Sequence, residues 1–167
     1  ARLYLNAEVY TGTQRWDDAI TYSNKVMTSA YKLNPSYKQL FMADNAGTVD
    51  GSTINTAPQE IIFPIAADGV KTKSWGASLF LIASTHTNGM ADWGSTEGWG
   101  GSRARAALVK KFFPSGVVPA VADLTTSAVD DRAMMNAVDK TLDITKVTDF
   151  TKGISVAKYS NKRADGL

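Results

Sequence analysis

Apolar positions recur at helical spacing over the first thirty residues. Leu3, Tyr4, Leu5, Ala7, Val9 and Tyr10 spread around most of a wheel, which predicts a helix over 1–11, covered on several sides and ended by Gly12. From Trp16 the positions Ala19, Ile20, Val26 and Met27 keep the same period, and Asp17, Asp18, Asn24 and Lys25 supply a wet side. The two helices are expected to pair antiparallel across a face that includes Tyr10, Trp16, Ala19 and Ile20.

Beyond Tyr31-Lys32-Leu33 the periodicity weakens. Pro35 begins a turn, 37–42 reads as a short helix, and the polar stretch 44–59 reads as a surface loop. The run 60–66 predicts a short strand, with Pro64 favouring an edge or an end, and 78–83 predicts another. Over 102–112 a helix is expected: Ser102 can cap it, Ala104, Ala107, Leu108, Val109 and Phe112 give the apolar side, and Lys110 and Lys111 occupy the last turn before Pro114. Short elements are expected at 130–136 and 154–159. The predicted architecture is mainly α with irregular loops and a few short strands. A helical hairpin and a short following helix occupy 1–43, and a loop-rich unit occupies 44–167.

Composition narrows the chemistry. With 44% hydrophobic and 20% charged residues among 167, the chain can build a core. Eighteen basic residues against sixteen acidic ones, scattered, leave no electrostatic footprint for nucleic acid. There is no cysteine, which removes disulfides and thiolate metal sites, and a single histidine, His86, which removes a multi-histidine metal centre. Phosphate-cradling, dinucleotide-binding and zinc-protease motifs are missing, so neither a cofactor nor a metal is called for. The apolar run 61–67 falls well short of the roughly 20 residues that span a bilayer. Asp92 with Glu97, or Asp130 with Asp131, could serve a glycosidase as a carboxylate pair. Asp130-Asp131-Arg132 reads more simply as a solvated or locally paired cluster, and His86 as an exposed or hydrogen-bonded loop residue.

One segment departs from the average. Seven of the 13 glycines and three of the four tryptophans fall between Gly69 and Gly101. A glycine-rich stretch of that length with little helical pattern is a functional loop, and its tryptophans argue against disorder. The flat indole matches the C–H face of a pyranose, while polar neighbours can address hydroxyls. The candidate glycan-binding residues are therefore Trp75, Trp93, Trp99, His86, Asn88 and Asp92. The competing reading is that some of these indoles anchor the loop to the core.

The order of features carries a resemblance. Gly12, Trp16, Ala19 and Val26 resemble the second half of a tetratricopeptide repeat, making the hairpin TPR-like. The stations Ala1-Arg2-Leu3-Tyr4-Leu5, Trp16-Asp17-Asp18-Ala19-Ile20, Tyr31-Lys32-Leu33, Tyr37 to Phe41 and Glu60-Ile61-Ile62-Phe63 resemble the SusD/RagB family of glycan-binding proteins. So do Gly98-Trp99-Gly100-Gly101-Ser102-Arg103, Ala107 to Phe112, Asp130-Asp131-Arg132, Lys158-Tyr159-Ser160-Asn161 and Asp165-Gly166. The resemblance implies a non-catalytic lipoprotein on the surface of the outer membrane. Such a protein captures oligosaccharide or polysaccharide on loop aromatics of a SusD-like subdomain and hands it to a SusC-like TonB-dependent transporter. The chain opens inside a helical pattern without an initiator Met, so the lipid anchor, earlier helical repeats and C-terminal segment are expected outside it. A glycoside hydrolase and a helical-repeat protein-interaction module are the alternatives.

Overall fold

The computed structural model describes residues 1–48, 51, 54–67, 71–72, 77–87, 93–95 and 98–166, with the side chains of 77–79 excepted. The predicted first helix is two short ones, α1 (Arg2–Leu5) and α2 (Ala7–Thr11). Asn6 interrupts them because its side-chain amide donates to the Arg2 carbonyl, 2.9 Å away, and competes with the helical ladder. Gly12 then ends α2 in the left-handed conformation, φ 72°, its N–H on the Glu8 carbonyl. Helix α3 (Trp16–Met27) returns antiparallel and packs on α1.

The hairpin face differs from the expected one. Tyr10, Trp16 and Ile20 are exposed, whereas Ala7 and Ala19 are buried and Tyr4 stacks on Tyr22 at 5.1 Å between ring centroids. The Arg15 guanidinium lies over the Tyr4 ring. The buried positions of the hairpin are thus small residues, and the aromatic pair that joins α1 to α3 lies nearer its surface.

A 3₁₀ helix, Tyr37–Phe41, follows where a short helix was expected. It is joined to the far end of the chain. Phe41 meets Tyr159 edge to face, its carbonyl accepts from Ser160 N–H, and Lys38 pairs with Asp123 at 3.0 Å. The polar stretch 44–59 is less of a surface loop than expected, since Asp44, Asn55 and Ala57 are buried. Asn55 donates to Asp44 and to the Gln39 carbonyl while its oxygen accepts from Ala57 N–H, so polar side chains here replace a regular ladder.

Both predicted early strands are corrected. Residues 60–66 form no strand; Phe63 and Ile65 stand out into solvent, with no neighbouring strand among the described residues to pair with. The run 78–83 is part of a helix, α4 (Ala77–Thr85). A run apolar on every side carries no period that distinguishes the two states, and here the helix satisfies its backbone without a partner strand.

The remaining core is built on a three-stranded antiparallel sheet of order β1-β3-β2, from β1 (Arg103–Ala104), β2 (Met135–Asn136) and β3 (Ile154–Val156). Helix α5 starts at Ala106 and ends at Phe112, four residues later than the expected start at Ser102. The preceding residues are committed elsewhere. Ala104 pairs with Ile154, and the Arg103 guanidinium donates to the carbonyls of Val147, Asp149 and Lys152. Ala104, Val109, Phe113, Leu124, Met135, Ala137 and Ile154 form the buried cluster between sheet and helix. No helix among the described residues is long and apolar enough to cross a membrane.

Because Ala19 is the buried residue of α3, Ala19→Leu is expected to overpack the hairpin and lower stability by about 1 to 3 kcal/mol. Thermal or denaturant unfolding checks this, and an unchanged melting curve contradicts the packing described.

Candidate functional site

The site begins at the carboxyl end of α4. The last carbonyls of any helix lack intrahelical donors and must find them elsewhere. Here the Ile82 carbonyl takes His86 N–H at 2.9 Å, while the Ala83 and Ser84 carbonyls take the N–H groups of Trp99 at 2.7 Å and Ser102 at 2.9 Å. The His86 carbonyl in turn accepts from Gly100 N–H at 2.9 Å. A turn more than a dozen residues downstream thus caps the helix and is laid flat against it.

The glycines of that turn have steric reasons. A β-carbon on Gly98 would stand 2.1 Å from the His86 carbonyl oxygen, and one on Gly100, at φ 61°, would stand 2.6 Å from the Thr87 methyl. Between them Trp99 points outward, 56% exposed. Phe80 of α4, also exposed, meets the Trp99 ring edge to face at 5.8 Å and 68°. The result is an open indole supported by a second aromatic, on a turn whose backbone is bonded to a helix terminus. Phe80 escaped the sequence reading because it sat in a run assigned to a strand, with no reason to place it beside Trp99.

The other sequence candidates separate into two groups. Trp93 and His86, expected to face sugar, lie inside: Trp93 is 3% exposed and His86 fully buried, their rings 6.3 Å apart. Neither is displayed at the surface as Trp99 is, because the segment 157–161 is bonded over them. Trp93 receives Asn161 N–H and the Ser160 hydroxyl on its carbonyl, Asn161 also donates from its side chain to the Gly94 carbonyl, and Lys38 covers the indole at 5.1 Å. The indole N–H of Trp93 has no partner among the described residues, although Trp93 contributes to the wall of a cleft of about 250 Å³ with Lys38, Asp123 and Lys162. Trp75, Asn88 and Asp92 lie outside the described residues.

The His86 ring places Nε2 3.1 Å from the Tyr159 carbonyl, so Nε2 carries the proton and Nδ1, buried, has no partner among the described residues. Burial pushes the imidazole below its ordinary value, and the Tyr159 carbonyl only partly opposes this. In the acidic cluster Asp130 accepts both backbone and side-chain bonds from Arg132, which bring its carboxyl down to about 2. That is the ionised form, unsuited to donating a proton to a leaving group. Its candidate partner Asp131 is exposed, and Asp92 and Glu97 lie outside the described residues. No cluster of three metal-ligating side chains occurs among the described residues.

No protein-family model matches the chain. Among curated proteins it is similar to starch-binding protein SusD of Bacteroides thetaiotaomicron: 38% of positions are identical over 199 aligned residues, which take in 99% of this chain and 35% of that relative. The chain thus spans about a third of the relative's length.

A histidine whose folded value lies below its unfolded one contributes stability that is complete above about pH 6.5 and is lost as pH falls, because the unfolded chain then binds the proton more readily. The melting temperature is therefore expected to be level from about pH 8 to 7 and to fall as the pH drops below about 6.5. His86→Gln should flatten that fall. An equally steep decline in the variant assigns the acid sensitivity to other groups.

Proposed function

This chain belongs to the SusD family, and from that premise we propose that it forms part of a non-catalytic glycan-binding protein in which Trp99 is a stacking surface for a starch-like oligosaccharide. The observation that carries the reading is the open indole of Trp99, backed by Phe80 and seated on a turn bonded to the end of α4. A ring already held in place loses little freedom when a sugar lies on it, so a single stacking contact is used efficiently. The name of the similar protein specifies starch, which makes an α-linked glucan the first ligand class to test.

Trp75, Asn88 and Asp92 belong to the proposal as further contacts from the same stretch of sequence, and Trp93 and His86 as inner support of the Trp99 turn. A tetratricopeptide-like role for the α1–α3 hairpin is also proposed, on its paired short helices and buried Ala19. The lack of catalysis rests on the likeness to a starch-binding protein. Lipid tethering at the outer-membrane surface and delivery of glycan to a SusC-like TonB-dependent transporter rest on the family resemblance. Binding of modest strength through a few rings, easily reversed, suits a protein that must release its cargo.

Titration calorimetry of the full-length protein with maltoheptaose tests the site. Trp99→Ala is expected to weaken binding by about 1 to 3 kcal/mol, roughly ten- to a hundredfold, with little change in melting. Trp93→Ala should instead cost roughly 3 to 5 kcal/mol of stability with or without sugar. No reducing ends should be released from the glycan. Parent-like binding by Trp99→Ala, or hydrolysis by the purified protein, overturns the reading.

A further inference from the structure

His86 joins three separate parts of the chain around the base of Trp99. Its N–H closes the last turn of α4 on Ile82, its carbonyl receives Gly100 N–H, and its ring bonds the carbonyl of Tyr159, in the segment that follows β3. The turn carrying Trp99 has no slack against it, since even a methyl on Gly98 would collide with the His86 carbonyl. The ring is fully buried and faces the edge of Trp93, so it cannot itself touch a sugar.

We propose that His86 is a positioning residue for the Trp99 stacking ring, setting the height and tilt of that indole by anchoring the end of α4 to the Tyr159 carbonyl. The inference rests on the reading of Trp99 as a glycan contact. An apolar side chain of similar size would fill the same space and avoid burying an Nδ1 that has no partner among the described residues. What the imidazole adds is one directional N–H, aimed at a carbonyl 73 residues away. That bond ties the helix terminus, and with it the Trp99 turn, to the sheet side of the molecule. Leucine at this position would keep the volume and lose the tether. Glutamine would keep a donor near the Nε2 position.

The test is calorimetry of maltoheptaose binding to the full-length protein, with melting recorded on the same samples. The variants are His86→Leu, His86→Gln, Trp99→Ala and the His86→Leu/Trp99→Ala pair. His86→Leu should weaken binding about tenfold, the pair should bind no more weakly than Trp99→Ala alone, and His86→Gln should recover affinity to within about threefold of the parent. A solely structural histidine would lower melting without this coupling to Trp99. Parent-like affinity in His86→Leu, or losses that multiply in the pair, overturns the proposal while leaving Trp99 as a contact. Parent-like affinity in Trp99→Ala removes the glycan reading and the positioning role with it. Should His86→Leu fail to fold, His86→Asn, whose amide stops short of the Tyr159 carbonyl, is expected to show the same loss and coupling. If that variant also fails to fold, His86 is a core residue only and the proposal is wrong.

Discussion

The structure around Trp99 depends on how one helix end is satisfied. Helix α4 stops at Thr85 with its last carbonyls in need of donors, and the chain meets that need from a distance, with the N–H groups of Trp99 and Ser102 and, one residue further on, of Gly100. Each such bond contributes only about 0.5 to 1.5 kcal/mol net, yet leaving the carbonyls buried and unpaired would cost more than the bonds contribute. The turn 98–102 is therefore held to α4 by an obligation of the backbone. Its glycines make the close approach possible, and the indole between them is left on the outside.

The same logic extends inward. The segment 157–161 covers Trp93 and takes the His86 ring on the Tyr159 carbonyl, while Ser160 and Asn161 donate to Trp93 and Gly94. Its run Lys158-Tyr159-Ser160-Asn161 thus has a physical meaning: a carbonyl for histidine, a small hydroxyl that fits under the loop, and an amide that reads the backbone of a glycine. Lys158 covers the rings of Tyr37 and Phe41, which brings the 3₁₀ helix into the same assembly. Two kinds of tryptophan result, one that holds the loop and one that the loop displays.

Much of this was visible in the residues themselves. The α3 period, the stop at Gly12, the short helix at Tyr37 and the crowding of glycine and tryptophan before Gly101 all follow from local rules. What local rules could not supply was the destination of each side chain. The 78–83 run looked like a strand because it is apolar on all sides, and Ser102 looked like a helix cap because nothing nearby revealed that Ala104 pairs with Ile154, fifty residues on. Trp93 and Trp99 have similar neighbours, rich in glycine, and only the long-range bonds to 160–161 and to 83–84 separate the buried ring from the open one. Burial of Asp44 and Asn55 was hidden for the same reason, since polar residues read as surface until their partners are known.

The most direct measurement is a crystal structure of the full-length protein with maltoheptaose bound. The account predicts a pyranose ring lying against Trp99 at about 4 Å, in van der Waals contact, with Trp93 still covered and the His86 ring still on the Tyr159 carbonyl. Sugar bound elsewhere with Trp99 bare, or Trp93 turned out to meet it, would contradict the account.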